Sequence, residues 1–167
     1  MDKLLRSLKT SFPDLDFTAG ETFCWSPETH EVFYKEQTGN DARPEWSLLH
    51  ETGHALLDHT SYKADIELLK IEMAAWQKAL ELGTKFGISI DEDHIQNCLD
   101  TYRDWLYRRS ICPTCTNKSL QQSDMRHYRC FNCHTIWRVT PSRFCRSYRS
   151  VRNVKKSALV FHASEEL

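Results

Sequence analysis

The feature that most constrains this chain is the H-E-x-x-H run formed by His50, Glu51 and His54. On an α-helix, residues four apart stand on one face about one turn apart. His50 and His54 can therefore share a metal ion, and Glu51, one step round, can reach a water beside it. Trp46, Leu48, Leu49, Ala55, Leu56 and Leu57 surround the pair and predict a largely buried helix from about Pro44 to Asp58. Pro44 suits its first turn. Gly53 costs roughly 1 kcal/mol against alanine in a helix interior, which predicts close approach of another backbone.

Two histidines need a third ligand. The next helix is expected over Ala64–Leu82, ended by Gly83, and Glu72 sits at the centre of its apolar face. At about 100° per residue, Asp65, Leu68, Leu69, Ala75, Trp76 and Ala79 lie within about 60° of Glu72. Lys63, Glu67, Lys70, Gln77, Lys78 and Glu81 face the other way, as a solvated surface does. An unpaired carboxylate on the apolar face would be costly, so Glu72 is expected to meet a cation. Asp65 and His59 are the alternatives. The longer motif that supplies a third histidine is excluded, because Leu57 and Thr60 occupy its Gly and last His positions. His59 falls about 140° off the ligand face if the helix continues, and is expected near the helix end instead.

Around these two helices the pattern is mixed. Met1–Ser11 reads as a short helix stopped near Pro13. The β-type runs Glu21–Trp25 and His30–Tyr34, joined through Ser26-Pro27-Glu28-Thr29, read as a hairpin whose edge could take an extended peptide. Thr38–Asp41 reads as a loop. A further helix, capped by Asp91, is expected to reach about Arg109 with Ile95, Cys98, Leu99, Tyr102, Trp105 and Leu106 on one face. The 167 residues suffice for one modest domain and a small accessory module. The expected division is 1–109, 110–140 and a basic tail, 141–167.

The accessory module is announced by Cys112/Cys115 and Cys130/Cys133, two C-x-x-C pairs with 14 residues between them. That spacing predicts a Cys₄ zinc site, a zinc ribbon, whose ion supplies folding energy that so short a segment lacks. Cys24, Cys98 and Cys145 are expected to be free and packed as small hydrophobic residues, and His134 to be a spare rather than a ligand. Charge is divided between the halves: residues 1–100 carry 9 Lys/Arg against 19 Asp/Glu, and residues 101–156 carry 13 against 2. Arg126, Arg129, Arg138, Arg143 and Arg146, with Tyr128, Trp137 and Tyr148, suit phosphates and stacked bases, or equally an acidic protein surface within or outside this chain. With no apolar run near the ~20 residues of a membrane span, and no signal-peptide core in the first ten, the expected location is cytoplasmic.

The run His50-Glu51-Thr52-Gly53-His54-Ala55-Leu56-Leu57, followed by Glu72-x-x-Ala75, resembles the ImmA/IrrE metallopeptidases over roughly residues 15–85. Ala74 stands where that family commonly carries a second acidic residue. The resemblance implies an α+β, zincin-like domain with a short antiparallel sheet beside the active-site helices, and His50, His54 and Glu72 as ligands of a catalytic zinc. It also implies action on a repressor or other regulator. The expected chemistry is peptide hydrolysis with Glu51 as general base. His30, Tyr34 and His94 are candidates for stabilising the oxyanion. Two rivals stand beside it: a SprT-like protease acting on DNA-bound proteins, with a third histidine as ligand, and a non-proteolytic DNA-binding regulator with a peptidase-like sensor domain.

Overall fold

A computed structural model describes residues 1–36, 41–140 and 149–152. The chain divides into two compact units, Met1–Leu106 and Tyr107 onward. The fold is α+β, with four helices and two small sheets among the described residues.

In the first unit, α1 (Asp2–Ser11) leads into β1 (Asp16–Ala19), β2 (Cys24–Ser26) and β3 (Glu31–Tyr34). The hairpin forms as expected: β2 and β3 pair antiparallel with Trp25 opposite Val32. The sheet is nevertheless mixed rather than wholly antiparallel. β1 pairs parallel with β3, Phe17 opposite Val32, in the order β1-β3-β2. Phe17 and Val32 therefore point to one face and enter the core together. The opposite edge is left to β2.

The helix carrying the motif, α2 (Arg43–Leu56), buries Leu48 and Leu49 in that core. The following helix, α3 (Asp65–Phe86), packs along it. Gly53 marks the crossing: a Cβ there would stand 2.7 Å from the Ala75 carbonyl oxygen. The close backbone approach expected from the sequence is that of α3. The expected stop at Gly83 is corrected. α3 runs one turn further and ends at Gly87, which adopts the left-handed φ of 72° while the Ile88 N–H closes on the Gly83 carbonyl. Of the two glycines, only Gly87 takes a conformation that glycine favours. Asp91 caps α4 (Glu92–Ser110) through its Oδ1, which accepts the Asp93 N–H at 3.0 Å.

The second unit is an antiparallel sheet in the order β4 (Leu120–Gln121), β5 (Tyr128–Arg129), β6 (Ile136–Val139) and β7 (Arg149–Arg152). Its core is small: Tyr128 and Trp137, stacked at 5.6 Å between ring centroids, with Cys112 and Cys130. The Trp137 indole donates to the Arg109 carbonyl, and the Arg109 guanidinium donates to the Thr140 carbonyl, so β6 is tied to the last turn of α4.

Candidate functional site

The periodicity of α2 and α3 brings three buried side chains to one point. His50 and His54, one turn apart on α2, direct Nε2 atoms to within 3.1 Å of each other. Glu72 on α3 places Oε2 3.3 Å from His50 Nε2 and 3.7 Å from His54 Nε2. Tetrahedral ligands about 2.0–2.1 Å from a zinc ion lie about 3.3 Å from one another, so the three separations match one face of such a shell. His50, His54 and Glu72 can hold a metal ion. Burial pushes the Glu72 carboxyl upward, but its polar contacts with the two imidazoles and their charge prevail and hold it down at about 2.

The two imidazoles are fixed by different means. His50 stacks on Trp76, one turn after Glu72, with ring centroids 4.2 Å apart, while its buried Nδ1 has no hydrogen-bond partner among the described residues. His54 is held from behind, its Nδ1 lying 2.9 Å from Nδ1 of His59. His59 thus meets the far nitrogen of His54 and stands outside the ligand group, as does Asp65. Burial, and then the neighbouring His54, lower the His59 pKa.

Glu51 is half-buried, and its Oε2 accepts the Trp25 backbone N–H at 2.8 Å. The edge strand β2 therefore fixes the acid next to the two histidines. A cleft of about 270 Å³ opens over them, lined on its other sides by Leu68, Ile71, Tyr62 and Tyr102. Of the oxyanion candidates, His30 packs edge-on against Trp25 and His94 lies between Trp46 and Trp76, and neither they nor Tyr34 are among the residues lining this cleft. Tyr62 and Tyr102 do line it, positions that the sequence pattern did not single out. Their approach to the cleft depends on how the segment after α2 and the helix α4 fold back. Cys24 also lines the cleft and is exposed, contrary to the packed position expected for it; Cys98 is half-buried, and Cys145 lies outside the described residues.

In the second unit, Cys112, Cys115, Cys130 and Cys133 converge and could form a zinc ribbon. Sγ of Cys112 and Cys133 are 3.5 Å apart, and those of Cys115 and Cys130 3.4 Å. The two C-x-x-C turns repeat one backbone design. The N–H of Thr116 returns to the Cys112 carbonyl and that of His134 to the Cys130 carbonyl, each at 3.0 Å. Both residues adopt positive φ, 62° and 59°. His134 thus turns the chain and stands outside the four-cysteine group. Backbone N–H groups of Cys133 and Asn132 bring the Cys130 thiol down to about 6, while the Cys115 thiol beside it is raised to about 11.

Alternation along this sheet separates core from surface. Tyr128 and Trp137, considered above as stacking platforms, are buried at 2 % and 0 % exposure and unavailable to bases. These two rings of the small unit serve its own core. The opposite face presents Leu120, Arg129, Ile136 and Arg138, with Leu120 paired to Arg129 and Arg129 to Ile136. Arg126 is exposed in the β4–β5 turn, where its N–H donates to Asp124. Phe131, between the second pair of cysteines, is 66 % exposed; nothing in the sequence pattern distinguishes it from a core aromatic. Arg143, Arg146 and Tyr148 lie outside the described residues. Among the described residues, no helix is long and apolar enough to cross a membrane.

Compared with protein-family models, curated proteins and solved structures, the chain matches none. Its likeness to ImmA/IrrE peptidases rests on the motif residues.

Proposed function

We propose that this chain is a zinc-dependent endopeptidase that hydrolyses a peptide bond in a protein substrate, a regulator or repressor, in the cytoplasm. The observation that carries the reading is the convergence of His50, His54 and Glu72 beneath an open cleft, with Glu51 beside them. Two imidazoles and a carboxylate suit Zn²⁺ and leave a position for water or substrate. The ion, when bound, polarises a carbonyl and acidifies water.

The protein's own groups supply the rest. Glu72 offsets the charge of the ion from within the core. Glu51 accepts the proton of the attacking water at a carboxylate oxygen and returns it to the departing amine. The Trp25 N–H holds one oxygen of Glu51, which fixes the direction in which the other can take that proton. Leu68 and Ile71 give the cleft an apolar wall suited to a substrate side chain.

A test combines metal analysis with cleavage of a peptide library by the zinc-loaded chain. Glu51→Gln should retain the ion and lose cleavage by at least about 100-fold, in the range for a lost general base. Glu72→Gln should lose the ion. Equal turnover by wild type and Glu51→Gln would end the reading.

The second unit favours docking. Exposed Arg129 and Arg138 beside Leu120 on one face suit an acidic polymer or an acidic protein surface. Removing both arginines should weaken salt-dependent binding of nucleic acid or substrate protein and leave cleavage of short peptides intact. The SprT-like alternative is less well supported, since His59 approaches His54 on the side away from its Nε2.

A further inference from the structure

The helix α2 ends in a hydrogen-bonded reversal that sequence projection does not anticipate. Asp58 adopts φ 50°, its N–H reaches the Ala55 carbonyl, and the His59 N–H reaches the His54 carbonyl, both at 3.1 Å. These are the paired bonds of a Schellman C-terminus, which folds the second residue beyond the cap back over the last full turn. In most such ends an apolar contact completes the reversal. Here the two residues joined by the outer bond are both histidines, and their rings meet Nδ1 to Nδ1 at 2.9 Å. A second tie holds His59 in place: its carbonyl accepts the Trp25 indole N–H at 2.8 Å.

Only one of two facing nitrogens can carry the proton of a hydrogen bond. If Nε2 of His54 is to offer a lone pair to an ion, its proton must be on Nδ1, and His59 must accept it. We propose that His59 is a positioning residue: it holds His54 in the Nδ1–H tautomer and fixes the ring so that Nε2 faces the point shared with His50 and Glu72. Among the described residues His50 has no such partner and stacks on Trp76, so one ring is set by stacking and the other by a hydrogen bond. The inference rests on the reading of His50, His54 and Glu72 as a metal set.

The experiment uses the full chain and Zn²⁺, titrated in competition with a chelating dye, for wild type, His59→Ala, His59→Asn and Trp25→Phe. His59→Ala should bind the first-unit ion roughly 10- to 100-fold more weakly, the usual cost of losing a ligand's outer partner. His59→Asn, whose side chain can still accept at that place, should recover most of the affinity. Trp25→Phe should fall between. Ring ¹⁵N shifts of His54 in the metal-free chain should show the Nδ1–H tautomer in wild type and His59→Asn, and a mixture in His59→Ala. Should His59→Ala fail to fold, the comparison of wild type, His59→Asn and Trp25→Phe carries the test, and no loss in Trp25→Phe then counts against the proposal. Wild type binding no ion at these residues would overturn the metal reading itself. Tight binding by wild type and by His59→Ala alike would overturn only the role of His59.

Discussion

Gly53 shows how a single missing side chain sets the geometry of the site. Its Cα faces the Ala75 carbonyl, where a Cβ would come to 2.7 Å, and Lys78 Cβ, where it would come to 3.3 Å. Gly53→Ala gains helix propensity of about 1 kcal/mol but forces α2 and α3 apart, and overpacking of this kind costs about 1–3 kcal/mol. We expect a lower thermal midpoint by several degrees together with weaker Zn²⁺ binding, because the same movement separates His54 from Glu72. A midpoint that rises would show that the helices accommodate the methyl group. At this scale the convergence of His50, His54 and Glu72 was legible in the sequence. Period 3.6 places His50 above His54 and puts Glu72 among apolar neighbours, and both inferences need only local geometry. His59 was legible as an alternative ligand and as a residue near the helix end, but its contact with His54 was not, because that depends on how the chain turns after Leu56. The orientation of Glu51 was hidden for another reason: its partner is a backbone N–H 26 positions away, which no side-chain pattern records.

Among the elements, α3 depends on how it begins. The Glu67 carboxylate accepts the N–H groups of Lys63 at 2.8 Å and Ala64 at 3.1 Å, which satisfies amides that the first turn leaves unpaired. These bonds lower the Glu67 pKa below its ordinary value of 4.5. A depressed carboxyl stabilises the fold above its unfolded pKa, and that contribution is lost as pH falls through the folded value. In the metal-free chain Glu67→Gln should therefore melt lower than wild type at pH 7, with the gap narrowing once pH drops below about 4.5. A gap that does not change with pH would mean the cap works without its charge. Periodicity put Glu67 on a solvated face and gave no hint of this role, because capping depends on where the helix starts. Parallel pairing of β1 with β3 was equally out of reach. The hairpin of β2 and β3 can be read from adjacent runs, but β1 joins its partner across the whole of β2.

For the molecule as a whole, the two units stand on different foundations. The first has an apolar core that includes Leu8, Val32, Leu48 and Leu49, each at 0 % exposure. The second, among the described residues, has little beyond Tyr128, Trp137 and its cysteines. Stripping metal with a strong chelator at neutral pH should unfold the second unit, read as collapse of its amide dispersion and a shifted Trp137 emission. Backbone signals of α2 and α3 should persist. Concerted loss of both would show that they fold as one. The cysteine spacing made this second unit legible early, while the inward aromatics of its sheet did not, because a basic, aromatic-rich sequence reads alike whether its rings face in or out.

The ligands of the candidate centre come from two helices, with 17 residues between His54 and Glu72. An ion taken up there is a reversible cross-link that closes this loop, and it favours the native chain over the unfolded one. At 100 times its dissociation constant, such an ion adds about 2.7 kcal/mol to stability. Resistance of this protein to heat or to degradation would then track the local supply of the ion, so that scarcity would shorten its lifetime.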